Sequence, residues 1–228
     1  MQPQPPSNSL QFGCRLLLTL ALVAGVQLSW AQARRDAVVG APRHLVWFED
    51  VEKAIQAQQT GEVVWALDLT RDRLTDLPEA ILQLPNLRYL MVNRNKLNNL
   101  PEWLKELTDL RALMADHNHF RHFPDVLLRM PDLEQVSLGE NALTAIPLDI
   151  DNMENLRVLS LWGNVVAEFP ASLANLLSLQ VLDLLHNEMT VDEQEMLRTL
   201  LPDVKLNFSE PCDCEFDADF SSYPLKQQ

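Results

Sequence analysis

The chain has 228 residues, 47% apolar and 22% charged, a composition suited to one globular or repeat domain. Its 18 basic and 32 acidic residues give a formal net charge of −14, which repels phosphate backbones and disfavours a nucleic-acid or anionic-lipid binder. Six glycines and 14 prolines exclude collagen, three cysteines cannot form a disulfide scaffold, and the length leaves no room for a large catalytic domain beside a repeat array.

Residues 1–33 read as a secretory signal peptide. Arg15 precedes the apolar run Leu16–Val26, which is shorter than the roughly 20 residues a bilayer span needs. Ala31-Gln32-Ala33 then supplies the small-x-small pattern of a cleavage site near Ala33. Cys14 lies before the run, badly placed for a lipoprotein cysteine. Cleavage leaves 17 basic and 32 acidic residues, with no other run long enough to cross a membrane. The expected product is extracytoplasmic: periplasmic, secreted or surface-associated. Residues 34–62 read as a linker and an N-terminal capping helix, with apolar residues at helical spacing through Phe48, Val51, Ala54 and Ile55.

From there one period organises the chain. Asparagines fall at 95, 118, 141, 164 and 187, always 23 apart, with Asp72 opening the series, and prolines at 78, 101, 124, 147 and 170 keep the same step. Apolar columns keep register too: Leu67, Leu90, Leu113, Val136, Leu159, Leu182; then Leu69, Val92, Ala115, Leu138, Leu161, Leu184; then Leu74, Leu97, Phe120, Leu143, Val166, Met189. Around Leu90 and Val92 the alternation with Tyr89, Met91 and Asn93 predicts a short strand buried on one face. The Asn95 amide both donates and accepts, so it suits the turn out of that strand. Pro101 sets a new direction, and Leu104 and Leu107 aim a short helical or 3₁₀ segment inward.

The segment Leu87–Leu97 resembles the leucine-rich repeat core L-x-x-L-x-L-x-x-N-x-L, and Leu100–Leu107 resembles the L-P-x-x-L-x-x-L of its 23-residue subclass, found in Scribble-like, plant intracellular Ras-group-related and bacterial exported proteins. The resemblance implies an α/β fold: a leucine-rich repeat solenoid with short parallel strands on the concave face, short helical or 3₁₀ segments on the convex face and helical caps at both ends. The array is assigned to 63–189. Residues 190–208 follow as a C-terminal capping helix and edge strand, with a capping-box signature at Thr190 and Glu193 and a stripe of Met196, Leu197, Leu200 and Leu201. Residues 209–228 are an acidic tail with five carboxylates against Lys226.

The strand positions that point away from the core are the candidate ligand face. They place Tyr89, Met91, Met114, Trp162 and Leu185 as exposed apolar side chains, with Asn93 and Asp116 among them, and predict a protein interface. Packing of Trp162 and Leu185 over the last repeats is the competing reading. Along the adjacent edge, Arg71, Arg73, Arg94, Lys96, His117, His119, Arg121 and His122 form a basic stripe suited to an acidic partner, or simply a solvated edge.

Two clusters invite other chemistry. His117, His119 and His122 suggest a metal, although Arg94 and Lys96 in the neighbouring repeat would repel one and only Asp116 offers a carboxylate. Cys212 and Cys214 fit a reducible disulfide, a soft-metal pair or a brace for the C-terminal cap, of which a local structural role is favoured. A catalytic thiol is disfavoured by Asp213, Glu215 and Asp217. Asn207-Phe208-Ser209 fits a glycosylation sequon. No nucleophile elbow, phosphate loop or zinc-protease helix occurs. The expectation is therefore a non-enzymatic, cofactor-free protein-interaction module with a homodimer possible. A metal- or redox-active protein and a structural envelope or adhesion component are the alternatives.

Overall fold

The computed structural model of the chain describes residues 38, 41, 42 and 44–211; the expected signal peptide, Cys212, Cys214 and the remaining tail lie outside the described residues. The chain divides into two compact units, 1–43 and 44–228, and the second is described below.

Each period contributes a three-residue strand: β1 (Ala66–Asp68), β2 (Tyr89–Met91), β3 (Ala112–Met114), β4 (Gln135–Ser137), β5 (Val158–Ser160) and β6 (Val181–Asp183). With β7 (Lys205–Asn207) they form one seven-stranded parallel sheet in chain order. Register follows the sequence period, so Leu67, Leu90, Leu113, Val136, Leu159 and Leu182 lie side by side, all at 0% exposure. One repeat cannot bury such a row by itself, and the stack does so because each leucine has a like neighbour on both sides. The step to β7 is one residue longer, pairing Leu182 with Leu206.

The return path is set by proline. Pro78, Pro101, Pro124 and Pro170 each precede a 3₁₀ turn, at Glu79–Gln83, Glu102–Glu106, Asp125–Arg129 and Ala171–Asn175. Locked proline φ starts the turn, and leucines such as Leu104 and Leu107 close it against the core. After Pro147 the turn is shorter, Ile150–Asn152. Phe120 takes a place held by Leu97 and Leu143 in adjacent repeats and is wholly buried.

Helix α1 (Val51–Gln59) stands before the sheet and buries Val51 and Ala54. It begins later than the spacing predicts, because Asp50 takes the N-cap and accepts from Lys53 N. Phe48 is left extended and bridges to Leu67 in parallel, extending the sheet by one residue. Helix α2 (Val191–Leu200) opens with the capping box between Thr190 and Glu193. Leu197 and Leu201 face the core, whereas Met196 is exposed, which breaks the expected stripe.

Candidate functional site

Three successive positions recur where the chain leaves each strand. The third is the asparagine. Asn118 Nδ2 donates to Val92 O and Ala115 O, both at 3.0 Å, and its Oδ1 accepts from Leu97 N at 3.1 Å. Asn95, Asn141, Asn164 and Asn187 make the equivalent bonds. Each amide thereby ties two repeats together. Asp72 departs from the series, since a carboxylate has no N–H to give and the residue is exposed. Partial desolvation by the surrounding chain, then the nearby Asp68, Asp50 and Glu49, hold its carboxyl above the usual carboxylate range.

The second position is left-handed in every repeat: Arg71 (φ 72°), Arg94 (58°), His117 (54°), Glu140 (49°), Gly163 (65°) and His186 (57°). Only one of these is glycine. The conformation turns each N–H toward the next repeat, where Arg94 N reaches Asp116 O and His117 N reaches Gly139 O, both at 2.8 Å. At the end of the array Ser209 Oγ replaces the missing carbonyl and accepts from His186 N at 2.7 Å.

The first position forms the lip of the strand face. Asn93 is buried, and its Oδ1 accepts from Asp116 N at 2.7 Å. Asp116 Oδ1 in turn accepts from Gly139 N at 2.8 Å and Ser137 Oγ at 2.6 Å. Burial raises the Asp116 carboxyl, opposed by these hydrogen bonds and by His117. Gly139 carries no side chain, and a Cβ there would overlap the Trp162 indole. Trp162 thus lies back across its neighbouring repeat and meets His117 edge-on, ring centroids 5.5 Å apart. Arg94 Nη2 stands 3.2 Å from His117 Nε2, completing a line Arg94–His117–Trp162 across four repeats.

The strand face itself differs from expectation. Tyr89, Met91 and Met114 are 8%, 1% and 7% exposed, so they are not open apolar anchors. Parallel, in-register columns place like positions about 4.8 Å apart, and long side chains shield one another at that spacing. Met91 stands between Asp68 and Met114, and the Tyr89 ring packs 6.3 Å from that of Trp47. The open part of the face lies further along, where Val158, Ser160, Val181 and Asp183 are half-buried, flanked by half-buried Trp162 and Leu185.

The histidines also separate. His117, in the left-handed column, meets the lip through Trp162, whereas exposed His119 and His122 line a surface groove with Lys96, Asn98, Asn99, Arg121, Phe123 and Asp125. Among the described residues, no three of His, Cys, Asp and Glu converge as metal ligands. Exposed Arg71, Arg94 and Lys96 remain on the edge. Sequence reasoning missed Gly139 as the seat of Trp162; the signal was a side-chain-free position one period before an aromatic.

A profile of the leucine-rich repeat region matches residues 66–207, and the chain belongs to this family, whose members typically serve as protein-interaction modules. Among solved structures, internalin C2 of Listeria monocytogenes is 19% identical with a TM-score of 0.53, over 64% of this chain and 62% of that one. A leucine-rich repeat protein of Leptospira interrogans is 21% identical with a TM-score of 0.47, over 72% of this chain and 54% of that one. The ectodomain of the Arabidopsis thaliana receptor kinase GASSHO1/SCHENGEN3, solved with CASPARIAN STRIP INTEGRITY FACTOR 2, is 26% identical with a TM-score of 0.48, over 64% of this chain and 21% of that one. The chain thus aligns with less than two thirds of each of these proteins. No curated protein matches the sequence. Among the described residues no helix is long and apolar enough to cross a membrane.

Proposed function

We propose that this chain is an exported, non-enzymatic binding module that engages another protein on the open part of its strand face. The observation that carries the reading is the lip: a tryptophan seated over a glycine, edge-on to a histidine and beside the half-open strands β5 and β6. Tryptophan presents a large rigid surface at low entropic cost, and tryptophan and arginine are both enriched in binding hot spots. Trp162 and Leu185 serve as the apolar contacts. Arg71, Arg94 and Lys96 orient an acidic partner along the edge. Tyr89, Met91, Asn93, Met114 and Asp116 support the face from beneath rather than touch the partner.

The test compares three full-length baits in native extracytoplasmic extract: parent, Trp162→Glu, and Leu148→Glu, which alters an exposed leucine beside the return turn. A partner held by the parent and Leu148→Glu but released by Trp162→Glu supports the lip. A partner retained by Trp162→Glu, or released equally by both variants, removes it. The mass of the exported protein tests cleavage near Ala33, and its native size tests a homodimer.

A further inference from the structure

Some basic residues of this chain are neutralised by carboxylates and others are not. On the return side Lys105 and Arg129 pair with Glu102, Arg111 with Asp132 and Arg157 with Glu134. In the groove beside β2 and β3, Lys96 and Arg121 have no carboxylate within 4.0 Å among the described residues. His119 and His122 join them there, against the single carboxylate of Asp125. A concentration of unneutralised cations on a chain of net charge −14 is a localised attraction on a repulsive background.

We propose that this groove holds the acidic C-terminal segment of the same chain, through Asp217 and Asp219. The segment carries Asp213, Glu215, Asp217 and Asp219 within seven residues. It departs from the edge that bears the groove, since Ser209 Oγ is fixed to His186 N on the left-handed column. Four strand spacings of about 4.8 Å separate β7 from β3, roughly 19 Å. An extended chain covers about 3.3 Å per residue, so Asp217 reaches about 20 Å beyond Pro211 and Asp219 about 26 Å. Asp217 therefore reaches Arg121, and Asp219 reaches Lys96 one spacing further on. Glu140 and Glu188 lie on the intervening edge, so the carboxylates gain nothing before the groove.

An acidic partner must first approach against the net charge of the whole chain, whereas this segment is already tethered near the groove. The tethered segment starts at an effective concentration of order millimolar, at which individually weak exposed pairs hold it in the groove for part of the time. When in place it covers Lys96, so an acidic partner at that end of the edge must displace it.

The full chain, mixed from normal and isotopically heavy batches, is treated at low salt with a carbodiimide that joins lysine amines to adjacent carboxylates, then mapped by mass spectrometry. Lys96 joins to Asp217 or Asp219 within one chain. Arg121→Glu lowers that yield roughly fivefold, the loss of about 1 kcal/mol, while links from Lys205, beside the segment, persist. Asp217→Asn with Asp219→Asn abolishes the Lys96 product. Absence of a Lys96 link overturns the proposal, as does a yield indifferent to Arg121→Glu. Links only between light and heavy chains would assign the groove to a second copy and overturn it equally.

Discussion

Two columns of this array sit one residue apart and obey opposite rules. In the asparagine column the backbone and side chain are both committed: every amide from Asn95 to Asn187 bonds two repeats. In the column just before it the backbone is equally committed, left-handed six times over, yet its side chains are arginine, histidine, glutamate or glycine. The difference is where the side chain goes. Asparagine turns inward to meet buried backbone carbonyls, whereas the left-handed residue joins the ladder through its N–H and leaves its side chain at the edge. Identity is constrained by what a side chain must bond, and backbone strain of about 1–2 kcal/mol is tolerated where the ladder over-determines it.

The largest effect should follow from breaking the committed column. Asn118→Ala strands Leu97 N–H and the carbonyls of Val92 and Ala115 together. A loss of about 3 kcal/mol is expected, against less than about 0.5 kcal/mol for Glu140→Ala on the neighbouring column. Urea unfolding midpoints measure both. Equal losses would mean the two columns are not different in kind.

Next comes the seat of Trp162. Gly139→Leu drives a side chain into the indole, so the ring must leave His117. A cost of about 1–3 kcal/mol is expected, with a red-shifted tryptophan emission. An unchanged spectrum would show that Trp162 does not rest there.

Smaller still is the exchange within the left-handed column. Gly163→Ala should cost about 1 kcal/mol from its φ of 65° alone, because the nearest atoms are the movable end of Glu140. Glu140→Gly should recover up to about 1 kcal/mol, set against the added freedom of the unfolded chain. Opposite signs in a pair of thermal melts would isolate the backbone term.

What could be read from the sequence follows the same division. The asparagines, the leucine columns and the strand register were legible because each needs one residue type at one interval. The left-handed column was not, since five of its six members are not glycine and carry no conformational signature. The strand face misled for another reason. Alternation gives the direction of Met91 and Met114 but not how far their neighbours shield them, and both are buried. Trp162 was legible as an outward residue, but its seat depended on Gly139 in another repeat. For α1, the spacing of apolar residues gave the helix while the cap at Asp50 set its start.

The smallest effect probes the lip column, where a charge does what an amide could do. Asp116 Oδ1 accepts from Gly139 N and Ser137 Oγ, and burial raises its carboxyl above the ordinary 3.8. From that value up to the raised one, the folded chain retains a proton that the unfolded chain has lost. Stability therefore falls as pH rises through this window, and the cost persists above it. Asn at this position keeps an oxygen acceptor for both donors and never ionises. Asp116→Asn should match the parent below the window and exceed it above, with a flatter slope between. Urea unfolding across acidic to neutral pH gives the difference curve, in which Asp72 and the other carboxylates cancel. Parallel curves would mean that the hydrogen bonds hold the ionised form as well in the fold as water does outside it. The lip would then tolerate charge as freely as the left-handed column beside it.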